Sequence, residues 1–344
     1  MPKDKQIFIT GATGFVGSYL LRHLLRQGYM KVRALRRKNS SMALVIKVKD
    51  RVEWVEGDVL DLASLEDAMA GVQQVYHSAA VVSFHGADAQ RMQEVNQQGT
   101  ANVVNIALDK GIEKLVHVSS IAALGRSRDQ QHITEKSKWQ VGKINSAYGI
   151  SKHLAEMEVW RAIAEGLPAV IVNPSNVLGS GYWRDRTSTG QLFYKIWKGL
   201  RFMPTGGTGF VDVRDVARFM VSLMESGITG ERYILSGENL PFKTVFDEIA
   251  KVLNVPPPSI SVNAFLRETV WRTAWLLSKL TGGTPLITKE TARTSSRTYF
   301  YDAGKSLQAI PGFRYTPIAQ TIEQTGWQFL ECAKRDFQPT VLEL

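Results

Sequence analysis

The chain has 344 residues, enough for one large domain or two coupled ones. Hydrophobic residues make up 44% and charged residues 22%, and the mean hydropathy is -0.13, values that exclude disordered, collagen-like and coiled-coil classes. A formal charge of +10 suits an anionic partner but does not choose among a phosphorylated cofactor, an anionic substrate, a membrane surface and nucleic acid.

Short β-branched runs alternate with longer helical ones. Residues 7–10 predict a first strand, followed directly by Gly11-Ala12-Thr13-Gly14-Phe15-Val16-Gly17 and a helix over 15–27. Leu20, Leu21, Leu24 and Leu25 fall on one face of that helix, and Gly28 is a plausible stop. Further strands are predicted at 32–35, 52–55, 75–78, 115–119 and 169–173, with helices over 99–110 and 147–165 that end at Gly111 and Gly166. This alternation reads as βαβ units with a parallel sheet. Beyond 175 the pattern breaks into a Gly- and aromatic-rich stretch over 179–209, then returns with a helix at 213–225 and a strand at 233–235. The expected fold class is α/β, a doubly wound parallel sheet with a smaller C-terminal substrate lobe. Residues 1–175, with a returning segment near 210–236, would form the Rossmann-like NADP-binding domain, and 176–344 mainly the lobe. Residues 265–280 carry Phe265, Val270, Trp271, Trp275, Leu276 and Leu277 among Arg267, Glu268 and Arg272. They read as an amphipathic helix of the lobe core or a lid, with an interfacial membrane helix as the alternative.

Several classes drop out. A single cysteine, Cys332, excludes an intramolecular disulfide, and six histidines without ligand spacing predict no metal site. No apolar run reaches the ~18 residues of a membrane span. Met1 to Lys5 leads into only Ile7-Phe8-Ile9 before Thr10-Gly11, so no secretory segment is expected and a cytoplasmic location is. Basic residues cluster tightly only at Arg33, Arg36, Arg37 and Lys38, without an aromatic-and-basic recognition module, so no nucleic-acid partner is expected.

The glycine loop lies after a strand and before an apolar helix, the context a pyrophosphate site requires. Glycines let the backbone approach the phosphates, and the helix start supplies N–H groups and a favourable dipole. The spacing is GxxGxxG rather than GxGxxG. At the end of the second strand an acid would accept from a ribose 2′-hydroxyl, whereas an arginine accommodates a 2′-phosphate. Here the run is Leu35-Arg36-Arg37-Lys38, so Arg36 points to NADP, with NAD as the alternative.

Tyr148 and Lys152 are four residues apart on a predicted helix and so address one volume. A phenol with a pKa of ~10 is a poor acid-base catalyst at neutral pH unless a nearby cation favours its phenolate, a charge Lys152 can supply. Taken alone, the pair also fits a surface tyrosine beside a snorkelling lysine. Ser119-Ser120, at the end of the fifth predicted strand, and the glycine loop raise its specificity.

With these motifs the chain resembles the extended short-chain dehydrogenase/reductase family, also called the NAD-dependent epimerase/dehydratase family, over nearly its whole length. The resemblance implies Ser120, Tyr148 and Lys152 as catalytic residues; Ser120 lies five residues before Gly125, the glycine ending its loop. It implies cofactor contacts from Gly11, Thr13, Gly14, Phe15, Val16, Gly17 and Arg36, and from Asp58 and Val59 following Gly57. Ala79, Ala80, Asn96, Asn173 and Ser175 complete the set with Tyr148 and Lys152. Arg36, the 202–207 approach to Phe210-Val211-Asp212-Val213 and the late 299–302 motif look nearest to dihydroflavonol-reductase-like and 3β-hydroxysteroid-dehydrogenase-like members. Sugar-nucleotide dehydratases of the family carry an Asp-Glu pair after the catalytic hydroxyl, whereas Ile121-Ala122 follow Ser120 here. The implied activity is NADP-dependent reduction of a ketone or aldehyde on an apolar small molecule. A nucleotide-sugar epimerase with tightly bound NAD and a non-catalytic NADP-binding regulator are the alternatives. Phe84, His85, Tyr182, Trp183, Trp271 and Trp275 are pocket candidates by position, and a homodimer through the helices at 99–110 and 148–165 is the family expectation.

Overall fold

The computed structural model describes residues 3–83, 85–126, 131–142, 145–184, 189–261 and 296–343. The helix expected over 265–280, with Trp271 and Trp275, and the pocket candidate Phe84 lie outside the described residues.

The first half runs β1 (Ile7–Thr10), α1 (Phe15–Arg26), β2 (Val32–Arg36), β3 (Glu53–Glu56), α2 (Leu62–Ala68), β4 (Gln74–His77), α3 (Ala89–Gln93), α4 (Gly99–Asp109) and β5 (Lys114–Val118). It continues with β6 (His132–Ile133), α5 (Ala147–Ala164), β7 (Ala169–Pro174), β8 (Asn176–Leu178), α6 (Gly190–Trp197), β9 (Phe202–Met203), β10 (Gly207–Asp212) and α7 (Val213–Glu225). The remainder is β11 (Glu231–Leu235), β12 (Glu238–Pro241), α8 (Phe242–Val252), β13 (Ile260–Ser261), β14 (Phe300–Tyr301), α9 (Gly304–Ala309) and α10 (Ile318–Ala333).

Strands β1, β4, β5 and β7 are buried along their whole length, because helices cover both faces of the sheet; hence their near-continuous apolar runs. Seven strands pair in parallel in the order β11-β7-β5-β4-β1-β2-β3. The chain winds outward from β1 to β3 and then crosses back to β4, so the β1/β4 boundary is the switch point where ligands of such sheets bind. On one face the leucines of α1 pack with Phe219 and Leu223 of α7. On the other, Leu65 of α2, Val103 and Val104 of α4 and Val159 of α5 form a second core.

The returning segment divides between two sheets. β10 pairs with β8 and β12 in a separate three-stranded sheet, and only α7 and β11 rejoin the seven-stranded layer. The C-terminal lobe has its own core of Trp183, Phe193, Phe246 and Phe329, drawn largely from α6, α8 and α10. Both ends of α7 are chemically closed. Asp212 caps α7 by accepting from the Arg214 amide at 2.7 Å. At the other end of α7, buried Lys114 donates to the Leu223 and Ser226 carbonyls, a cation where the helix dipole favours one. Among the described residues no helix is long and apolar enough to cross a membrane, and no cluster of His, Cys, Asp or Glu could hold a metal ion.

Candidate active site

The turn between β1 and α1 is a cradle that side chains would fill. Gly11 has φ 71°, and a Cβ there would lie 2.6 Å from the Ala79 amide nitrogen. A Cβ on Gly17 would lie 2.1 Å from the Gly11 carbonyl oxygen. The loop therefore packs directly against the end of β4, with Thr13 and Gly14 between these two points. Gly14 starts α1 with no side-chain cap, so the first helical amides, from Phe15 and Val16 onward, face the loop unclaimed by any capping side chain. An anionic diphosphate matches this donor set, so the residues fit a dinucleotide.

The neighbouring strand ends add the other walls. Arg36 closes β2, and the β2/β3 register places Glu56 opposite it, 3.8 Å away, so an acid that the β2 sequence lacks arrives from the next strand. Both side chains are partly exposed, and such a pair holds the guanidinium only weakly. After β3, Asp58 accepts from the Leu60 amide, while buried Val59 packs where a Cβ on Gly99 would lie 2.7 Å from it. The Ala79 amide donates to the Thr10 hydroxyl, and Ala80 beside it is exposed. Asn96 is buried, and both of its side-chain N–H groups are taken up by Val81 and Ser151, so it shapes the wall and offers no free donor.

The catalytic candidates meet at the end of β5. Ser120 begins a short 3-10 turn and accepts from the Ala122 amide at 3.1 Å. Ser146 caps α5, and the first turn of the helix brings Tyr148 into a hydrogen bond with Ser120. Gly149 makes this approach possible, since a Cβ there would lie 2.8 Å from the Ala122 carbonyl oxygen. Lys152 is buried and donates to the Val118 carbonyl at 2.7 Å. Burial lowers its pKa to about 8, opposed by the charge of Glu156 one turn further on. The expected lowering of the Tyr148 phenol by Lys152 is not what this arrangement gives. Burial pushes the phenol up, the Ser120 hydrogen bond opposes that rise, and the Lys152 charge bears instead on His77 and His117.

Asn173 lies beneath this group, donating to the Ser120 carbonyl at 3.0 Å and to the fully buried Glu156, which Arg232 of β11 pairs at 3.1 Å. Ser175 is buried at the β7 exit. Sequence reasoning missed Gly149 and Glu156. A glycine inside a helix costs about 1 kcal/mol, so its place beside Tyr148 was a readable signal of close approach; Glu156 gave none. Trp183 is withdrawn as a pocket candidate. It is 1% exposed and stacks edge-on against Phe329 at 5.3 Å, inside the lobe core. His85 and Tyr182 are half-buried.

Residues 7–236 match the model of the NAD dependent epimerase/dehydratase family. The chain belongs to that family. It is 35% identical to a Synechocystis sp. protein provisionally named dihydroflavonol 4-reductase, over 92% of each chain. It is 31% identical to cinnamoyl-CoA reductase 1 of Oryza sativa subsp. japonica, over 68% of this chain and 72% of that one. The crystal structure of gox2253 superposes with a TM-score of 0.79 at 31% identity, covering 95% of this chain and 98% of the other. As a member of the epimerase/dehydratase family the protein is an NAD(P)-dependent oxidoreductase of the extended short-chain type, acting on a small molecule.

Proposed function

We propose that the protein is an NADP-dependent reductase of ketone or aldehyde carbonyls on apolar small molecules, working through Ser120, Tyr148 and Lys152. The observation that carries this reading is the Ser120–Tyr148 hydrogen bond, formed where β5 and α5 meet beside the switch point. The reductase names of the two relatives support the direction. Ile121-Ala122 after Ser120 offer no carboxylate for elimination chemistry.

A bound nicotinamide cofactor would supply the hydride, and this chain's part is to fix geometry and move the proton. The glycine loop and the first turn of α1 would hold the diphosphate, with Asp58 and Val59 at the adenine end. Tyr148 donates its phenolic proton to the oxygen of the reduced carbonyl, and Ser120 hydrogen-bonds the same oxygen. A raised phenol pKa keeps that proton in place at neutral pH. Lys152, one helical turn beyond Tyr148 on α5, would provide the positive charge that stabilises the phenolate left behind.

Two expectations test the assignment. Arg36→Ala should weaken NADPH binding at least ~10-fold, the loss of a charge-assisted contact, while changing NADH binding less than about twofold. Fluorescence titration reads both, and equal losses for the two cofactors would remove Arg36 from the 2′-phosphate. The second concerns pH. With Lys152 at about 8, kcat/KM for reduction should fall as pH rises through that value, by about tenfold per unit once the ammonium is lost. Lys152→Arg stays charged throughout, so this limb should vanish from its profile whatever its absolute rate. A limb that persists in the arginine variant belongs to another group.

A further inference from the structure

We propose that His77 is a positioning residue that, held as its neutral Nε2–H tautomer, fixes the strand end carrying the glycine loop against the helix carrying Tyr148. His77 is fully buried at the end of β4, in register with Thr10 of β1 on one side and His117 of β5 on the other. Both of its ring nitrogens are satisfied, whereas neither nitrogen of the neighbouring buried His117 finds a hydrogen-bond partner among the described residues. Nδ1 lies 2.7 Å from the Thr10 hydroxyl and Nε2 lies 2.9 Å from the Thr100 hydroxyl.

The proton positions follow from the neighbours. Thr100 has one hydroxyl proton and gives it to the Asn96 backbone carbonyl at 2.5 Å, so towards His77 it can only accept, and Nε2 must be the donor. Thr10 accepts from the Ala79 amide at 3.2 Å and turns its own proton to Nδ1. Burial disfavours a second proton on the ring, which would also displace that bond and face the buried Lys152 ammonium, so His77 stays neutral, its ring 5.2 Å from that of His117. From Asn96 the chain of contacts continues without a gap. Its side-chain nitrogen donates to Ser151 at 2.9 Å, and Ser151 donates to the Tyr148 carbonyl at 2.8 Å. The residue before Gly11 and the backbone of Tyr148 are thus joined through one imidazole. Each half of the link has its own reporter: the Ala79 amide on Thr10, and the Val81 amide on the Asn96 side-chain oxygen.

The two amide isosteres of histidine separate the halves. Glutamine keeps a donor where Nε2 stands and loses the acceptor for Thr10, whereas asparagine keeps that acceptor and loses the donor to Thr100. In His77→Gln, hydrogen exchange at Ala79 should speed up at least ~10-fold with Val81 unchanged; in His77→Asn the reverse should hold. Thr100→Val, which leaves the ring intact, should reproduce the asparagine pattern. If the reductase reading also holds, NADPH affinity should follow Ala79 and kcat should follow Val81. Exchange itself needs neither cofactor nor substrate, so a failure of the link and a failure of that reading are distinguishable. Should either His77 variant not fold, nitrogen NMR of the wild-type ring decides: a single Nε2–H form unchanged from about pH 5 to pH 8 supports the proposal. An Nδ1–H tautomer, a ring that titrates in that range, or equal acceleration at both amides in both variants overturns it.

Discussion

Tyr148→Phe is expected to lower turnover at least ~100-fold while leaving NADPH affinity within about twofold. The substitution removes one hydroxyl and keeps the ring, so the packing of α5 against the Ser120 turn persists. What disappears is the phenolic hydroxyl that meets Ser120, the proposed proton donor at a point where negative charge develops on the substrate oxygen. Because the interaction acts in the transition state, the loss should appear in kcat and in kcat/KM alike, with ground-state binding spared. Steady-state rates combined with a fluorescence titration of NADPH check both halves. Full turnover in the variant would mean that another group carries the proton, and a lost affinity would mean that the ring is structural.

The second large effect is expected at Gly17→Ala. The added methyl would stand 2.1 Å from the Gly11 carbonyl oxygen and 2.9 Å from the Ser78 hydroxyl oxygen, and both belong to backbone or short side chains that cannot swing away. The loop must shift, and its diphosphate contacts shift with it. NADPH affinity should drop at least ~100-fold, and overpacking should cost about 1–3 kcal/mol of stability. Gly227→Ala is the control. A Cβ there meets nothing within 4 Å, so both quantities should stay near wild type. Calorimetric melting and cofactor titration on the two variants test the contrast; normal NADPH affinity in Gly17→Ala would remove the loop from the cofactor site.

Features set by a short stretch of sequence were readable, and those set by strand register were not. The first helix was expected over 15–27 and runs Phe15–Arg26, because its leucine face and the Gly28 stop lie within one segment. The helix at Val213–Glu225 was legible for the same reason, with its Asp212 cap adjacent in sequence. By contrast, α2 passed unnoticed. Its seven residues are too few for a periodic signal, and it rests on the Asp61 cap and on packing against α4. The stretch over 179–209 looked irregular because its glycines mask α6, whose Phe193 and Ile196 acquire meaning only against the lobe core. At the candidate site, the glycine loop and the Tyr148/Lys152 spacing are local patterns. Three contacts around them are not: Glu56 on Arg36 depends on β2/β3 pairing, Asn173 on Glu156 joins a strand to a helix, and the His77 link spans residues 10 to 151. Such partners become visible only once the strands are ordered.

The measurement that bears most directly on the central claim is isotope transfer. The protein would be incubated with NADPH deuterated at nicotinamide C4 and a panel of apolar ketones and aldehydes, and the products read by mass spectrometry. One deuterium on the carbinol carbon and oxidation of NADPH in equal amount are expected, with both lost in Tyr148→Phe. Sugar nucleotides epimerised with no net NADPH consumption, and no label in any alcohol, would contradict the reductase reading.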